Sequence, residues 1–326
     1  MVAHREEGDR MAERNSRVTS WGVLAVALGA SLWAVDAPIR KPLTDVLPAT
    51  SIVLSEHLFL ALYSLPMVVA ARRVFLQLRP SGWLALFVIA WGGSGLATVL
   101  FTEAFKIGNP TTVILLQKLQ PLIAVLLAGL ILKERLPRLY WPCFAVALVG
   151  AYLVSFGRQS LEPFWRLPQD RVLTAALAVS AAALWGGSTV FGRYLLHGMS
   201  FPTLAAARFL FALPFLAGLA AVQGVLGTTF EVGLAQEPVR LFILALVPGL
   251  VAMLIYYLGL SRTRASYATL AELSFPAMAV IVNWFALDAR VDAVQVLGFV
   301  LLWSAITALT WIPSPRPAAE AQPVTT

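Results

Sequence analysis

Ten apolar runs, each about as long as a bilayer is thick, alternate along the chain with short polar breaks. They lie at 20–39, 48–71, 82–105, 111–132, 139–157, 172–196, 201–224, 239–260, 266–287 and 292–312. About 20 residues at 1.5 Å each cross the hydrocarbon, so every run predicts a membrane-spanning helix. Because the breaks are short, consecutive helices should form hairpins. Residues 1–19 make a polar N-terminal tail, 158–171 a longer central loop, and 313–326 (PSPRPAAEAQPVTT) a tail that reads as disordered. No A-x-A cleavage site follows a short apolar region, so the first run is expected to stay in the protein.

Composition agrees with this pattern. Of the 326 residues, 59% are hydrophobic and 13% charged, about half the charge a water-facing surface needs. A net charge of +7 does not imply nucleic acid, because the basic residues sit between apolar runs rather than in one patch. A single cysteine, Cys143, excludes an intramolecular disulfide. His4, His57 and His197 are too scattered for a metal site. No cofactor is expected.

Lysine and arginine set the orientation. With the N-terminus inside, inner segments hold 14 and outer segments 8, which predicts both termini in the cytoplasm. The bias comes almost entirely from the first half of the chain.

The two halves repeat. Trp33 and Trp185 are 152 residues apart, in SLWAVDAPIRKPL and ALWGGSTVFGRYL, and Glu56 falls on Arg208 at the same offset. Pro121 and Pro276 are 155 apart, a register that needs a three-residue loop insertion. Five spans per half is an odd number, so the second copy enters from the opposite side. The halves, 20–157 and 172–312, are then inverted repeats, an arrangement that places a binding site near the midplane.

The fourth run of each half carries the most chemistry. Gln117, Lys118, Gln120 and Pro121 interrupt the first; Glu272 and Pro276 occupy matching places in the second. Proline has no N–H and its ring crowds the carbonyl four residues back, so the carbonyls of 117 and 272 should lack helical donors. A lysine in hydrocarbon costs roughly 3 kcal/mol and is seldom left without a partner or water. Glu56, Lys118, Arg208 and Glu272 all lie roughly 11–14 Å into their spans by the helical rise. Glu56 and Arg208 are expected to form a buried ion pair joining the second spans. Glu56 with His57 is a candidate proton-coupling pair, since histidine titrates near neutrality. Trp33 and Trp185 lie deep enough to stack a substrate, with Tyr257 a weaker candidate; Trp21, Trp83, Trp141 and Trp311 suit an interfacial belt. The glycines of Gly92-Gly93-Ser94-Gly95 suit close helix packing.

Together these features resemble the drug/metabolite transporter superfamily, EamA type. The resemblance rests on two five-span copies, each opening with a Trp-Gly-like element (Trp33-Ala34; Trp185-Gly186). In each, a proline-containing fourth span runs to an arginine (Pro121 to Glu134-Arg135; Pro276 to Ala289-Arg290). It covers about residues 20–312 and departs from the pattern where Glu56 replaces an arginine. It implies a ten-helix, all-α membrane protein whose first four spans in each copy surround a central cavity. On that footing Gln117, Lys118 and Glu272 are expected to line the cavity. Their charges would favour an amphoteric, amino-acid-like solute moved by alternating access across a bacterial inner membrane. Export of drugs or organic cations coupled to protons is the alternative; a lipid-modifying enzyme would need a nucleophile or metal cluster that the chain lacks. A monomer or weak homodimer is expected.

Overall fold

The computed structural model describes residues 21–107, 113, 116–117, 119–134, 136–156, 171–287 and 292–311. Among them the chain is helical, without a β-strand. Besides short helical segments at 72–76 and 226–234, the helices are α1 (Trp21–Thr44), α2 (Ala49–Ala70), α3 (Pro80–Ile107), α4 (Gln120–Ile131), α5 (Tyr140–Phe156), α6 (Arg171–Leu195), α7 (Phe201–Val222), α8 (Pro238–Ser261), α9 (Ala265–Ala271), α10 (Ser274–Leu287) and α11 (Ala293–Trp311). Six of these (α1, α2, α3, α6, α7 and α8) are long and apolar enough to cross a membrane.

Proline marks the starts. Pro80, Pro121, Pro202 and Pro238 sit in the first turn of α3, α4, α7 and α8, where the missing N–H has no helical partner to lose. Ser200 caps α7, its hydroxyl accepting from the Thr203 N–H at 3.4 Å. Gly224, at φ +68°, turns the chain just beyond α7, a backbone region open to glycine at no steric cost. Lys133 occupies the same region at φ 52° after α4, and Ala128 O accepts from both Leu132 N and Glu134 N there. That double acceptance is a left-handed helix stop made without glycine.

The long helices are not uniform. A 3₁₀ turn at Trp33–Val35 interrupts α1, and wider π-helical turns occupy Val88–Leu96 in α3 and Ala245–Val251 in α8. The fourth runs differ from expectation. Instead of a long helix kinked at proline, each described fourth run holds a helix that starts just before its proline: α4 at Gln120, and α10 at Ser274 after a break from α9. A fresh start accommodates the proline ring more cheaply than a kink, because no i−4 carbonyl is crowded.

Packing brings α2 alongside α7 and α5 alongside α11, with α6 between α3 and α4. Alanine and glycine permit the close approaches. A Cβ on Gly150 of α5 would stand 2.7 Å from the Leu302 backbone nitrogen of α11. On Gly93 of α3 it would stand 1.9 Å from Ser188 Oγ of α6. The outer faces keep large apolar side chains such as Leu62, Leu130 and Val222 exposed, as lipid-facing helices do.

Candidate functional site

The break between α9 and α10 puts Glu272 where four helices converge. Its side chain is 7% exposed and accepts three hydrogen bonds from neutral donors. Tyr256 Oη of α8 lies at 2.7 Å and Thr189 Oγ1 of α6 at 3.2 Å from Oε1, and Gln120 Nε2 of α4 at 2.6 Å from Oε2. Among the described residues no Lys, Arg or His nitrogen lies within ion-pair distance of it. Three donors can hold a buried carboxylate in place. Trp33 closes one side, its ring 5.4 Å from that of Tyr256.

Two details correct the expected chemistry. The Glu272 carbonyl is not free: Phe275 N–H donates to it at 3.1 Å, because the chain makes a tight turn at the break. The amide that meets Glu272 is that of Gln120, while Gln117 Oε1 is buried without a hydrogen-bond partner. Lys118 lies outside the described residues. Pro121 is buried and Pro276 falls in the first turn of α10. Tyr256, rather than Tyr257, is the tyrosine on Glu272.

The two second spans also pair differently. Glu56 Oε2 accepts from Arg40 Nη2 at 3.1 Å, and Arg40 holds Asp36 through two further bonds at 2.6 and 2.7 Å. The α1 arginine therefore takes the place expected of Arg208. Arg208 donates instead to Ser94 Oγ at 2.6 Å, Tyr257 Oη at 3.0 Å and Met253 Sδ at 3.2 Å. His57 does not bond Glu56. Its Nδ1–H donates to Val53 O at 2.8 Å, its Nε2 has no partner, and its ring meets the edge of Phe209 at 5.9 Å. Trp185 donates from Nε1 to Gly93 O at 3.0 Å and packs on Phe101.

One spacing organises these contacts. Gln120 and Glu272 are 152 residues apart, the spacing of His57 from Phe209 and of Gly150 from Leu302. Glu272 minus that offset is Gln120, a signal already present in the sequence but hidden by aligning the prolines.

A second junction lies at one end of the bundle. The Glu134 carboxylate, just past α4, accepts from Ala265 N at 2.9 Å, from Ser266 N at 3.2 Å and from the Ser266 hydroxyl. It caps the N-terminus of α9, where unpaired N–H groups and the helix dipole favour an anion. Among the described residues, no group of three His, Cys, Asp or Glu side chains could hold a metal ion.

The EamA-like transporter family model matches residues 20–156 and 172–311. The Riboflavin transporter ImpX of Fusobacterium nucleatum subsp. nucleatum is 31% identical over 286 residues, 86% of this chain and 94% of that protein. A solved crystal structure at 18% identity superposes with a TM-score of 0.70, covering 90% of this chain and 98% of that one, and shares the fold.

Proposed function

This chain belongs to the EamA-like transporter family, and from that premise we propose that it carries riboflavin, or a solute much like it, by alternating access. It is a multi-pass membrane transporter of a small metabolite, not an enzyme. The observation that carries the cargo assignment is the 31% identity spread over 94% of a riboflavin transporter. The Glu272 junction is compatible: Tyr256 and Trp33 offer aromatic faces, while Thr189, Gln120 and Glu272 offer the donors and acceptors that a polyhydroxyl chain requires.

Ten spans in two inverted five-span copies, with both termini in the cytoplasm, complete the reading. The repeated self-contacts at 152 residues support it. The family match, which falls in two blocks on either side of residue 157, supports it too. Rocking of one copy against the other would expose the junction to each side in turn. The chain has no P-loop, so the energy comes from an ion gradient, from exchange or from the cargo's own gradient.

An amphoteric, amino-acid-like cargo is the second reading. One observation favours it: buried Glu272 and buried Arg208 hang on adjacent tyrosines, Tyr256 and Tyr257. Uptake of radiolabelled riboflavin and of an amino-acid panel into proteoliposomes separates the two. Saturable riboflavin uptake is expected; its absence would sink the flavin reading.

A further inference from the structure

Arg208 carries a positive charge into the interior without an acid to balance it. Its side chain is only 6% exposed, seven residues into α7, or about 10 Å by the helical rise. The groups around it are neutral: Ser94 on Nε, Tyr257 and Met253 on Nη1, and the Tyr257 ring 5.7 Å from Cζ. They hold the guanidinium still and leave its charge in place. A structural arginine in the same molecule is treated otherwise, since Arg40 is met by both Asp36 and Glu56. Among the described residues no carboxylate comes within 4 Å of Arg208.

Nη2 is the open end. It has no hydrogen-bond partner among the described residues, whereas Nε and Nη1 are both engaged. Across from it, Ser188 Oγ is buried and also unpartnered. A Cβ built on Gly93 would stand 3.3 Å from Nη2 and 1.9 Å from that hydroxyl. Nη2 and the Ser188 hydroxyl are thus neighbours, and the hydroxyl fills the space above Gly93. A buried hydroxyl left idle is costly, and an uncompensated charge beside it raises that cost.

We propose that Arg208 Nη2 and Ser188 Oγ form an oxyanion site that receives a carboxylate or phosphate group of the cargo, with Ser94 and Tyr257 as positioning residues. Donors alone line it, and its one charge is positive, so an ammonium or hydrocarbon end would be rejected there. Guanidinium hydrogen bonds to carboxylate and phosphate are among the strong ones because both partners are charged. The inference rests on the chain's being a small-metabolite carrier; riboflavin itself carries neither group, so within the flavin reading the site would take the phosphate of a flavin phosphate ester.

The test uses the full chain, purified in neutral detergent and titrated at constant ionic strength with acetate, inorganic phosphate and the neutral isostere acetamide. Tryptophan emission and thermal unfolding are the readouts, since Trp185 is bonded to Gly93 O beside the site. A saturable response to an oxyanion but not to acetamide is expected. Acetate alone would mark a carboxylate-bearing cargo, and phosphate alone a phosphate-bearing one. Arg208→Lys should weaken binding at least tenfold and Arg208→Gln abolish it. Ser188→Ala should weaken it several-fold with unliganded unfolding unchanged, and it decides the matter if the arginine variants do not fold. No saturable response in the native protein, or a response that Ser188→Ala leaves intact, overturns the site. Riboflavin uptake by the same preparation keeps the two readings apart. Uptake without oxyanion binding removes this proposal alone, and oxyanion binding without riboflavin uptake removes the flavin assignment alone.

Discussion

Gln120, the first residue of α4, and Glu272, in the break before α10, are joined by a hydrogen bond of 2.6 Å. One position carries a neutral amide and the other a carboxylate. A symmetric pair of carboxylates at that distance would repel in a medium of low dielectric, and a pair of amides would lack a charge-assisted bond. The mixed pair lets one contact tie α4 to the break between α9 and α10.

Breaking that contact should cost transport more than stability. Glu272→Gln removes the charge but keeps an acceptor for Tyr256, so uptake in proteoliposomes should fall at least tenfold with little change in thermal unfolding. Gln120→Glu places two carboxylates together and should express poorly. Exchanging the two, Gln120→Glu with Glu272→Gln, should recover expression. If the exchange folds no better than Gln120→Glu alone, the two positions do not act as counterparts.

Arg40 is the counter-ion for buried Glu56 and half-buried Asp36. Arg40→Met would leave Asp36 and Glu56 facing each other without a cation, a loss of about 3–5 kcal/mol typical of a broken buried pair. Denaturation in detergent would measure it. Reversing Glu56 and Arg208 together (Glu56→Arg with Arg208→Glu) should rescue neither single change, because these two side chains do not meet. Rescue would show that they do.

Glycine approaches differ by what they meet. At Gly150 an added methyl runs into the Leu302 backbone, and at Gly93 into the Ser188 hydroxyl. Gly150→Ala should therefore cost about 1–3 kcal/mol with no side-chain remedy. Gly93→Ala should be partly relieved by Ser188→Ala. Unfolding midpoints of the two singles and the double give the comparison.

The turn after α4 stores strain and spends it on a cap. Lys133→Gly should stabilise by about 1 kcal/mol, because φ 52° is costly for lysine and free for glycine. Glu134→Ala should destabilise by about 1–2 kcal/mol through the lost cap on α9. Hydrogen exchange at 265–271 should then rise selectively; uniform exchange across the protein would argue against a local cap.

Topology has its own test. On a Cys143→Ser background, cysteines placed at Gln77 and Gly157 should be labelled from opposite sides of the membrane. Labelling from one side would refute the ten-span arrangement.

The apolar runs and the family resemblance were legible in the sequence because both are written in composition and spacing. The free energy of placing a run in hydrocarbon sums over its residues, and an offset of 152 can be read by laying one half on the other. Glu272 could also be singled out there, as an acid inside an apolar run. What it touches could not. Successive side chains turn about 100° around a helix, so the choice of Gln120 over Gln117 depended on where α4 begins, and that was settled by Pro121 entering a first turn. Glu56 found Arg40 because α1 continues past its apolar run and brings the arginine against α2. Only packing could decide that Arg208 would be left beside hydroxyls, a thioether and a bare glycine, since whether a buried charge is balanced depends on neighbours that lie far away along the chain.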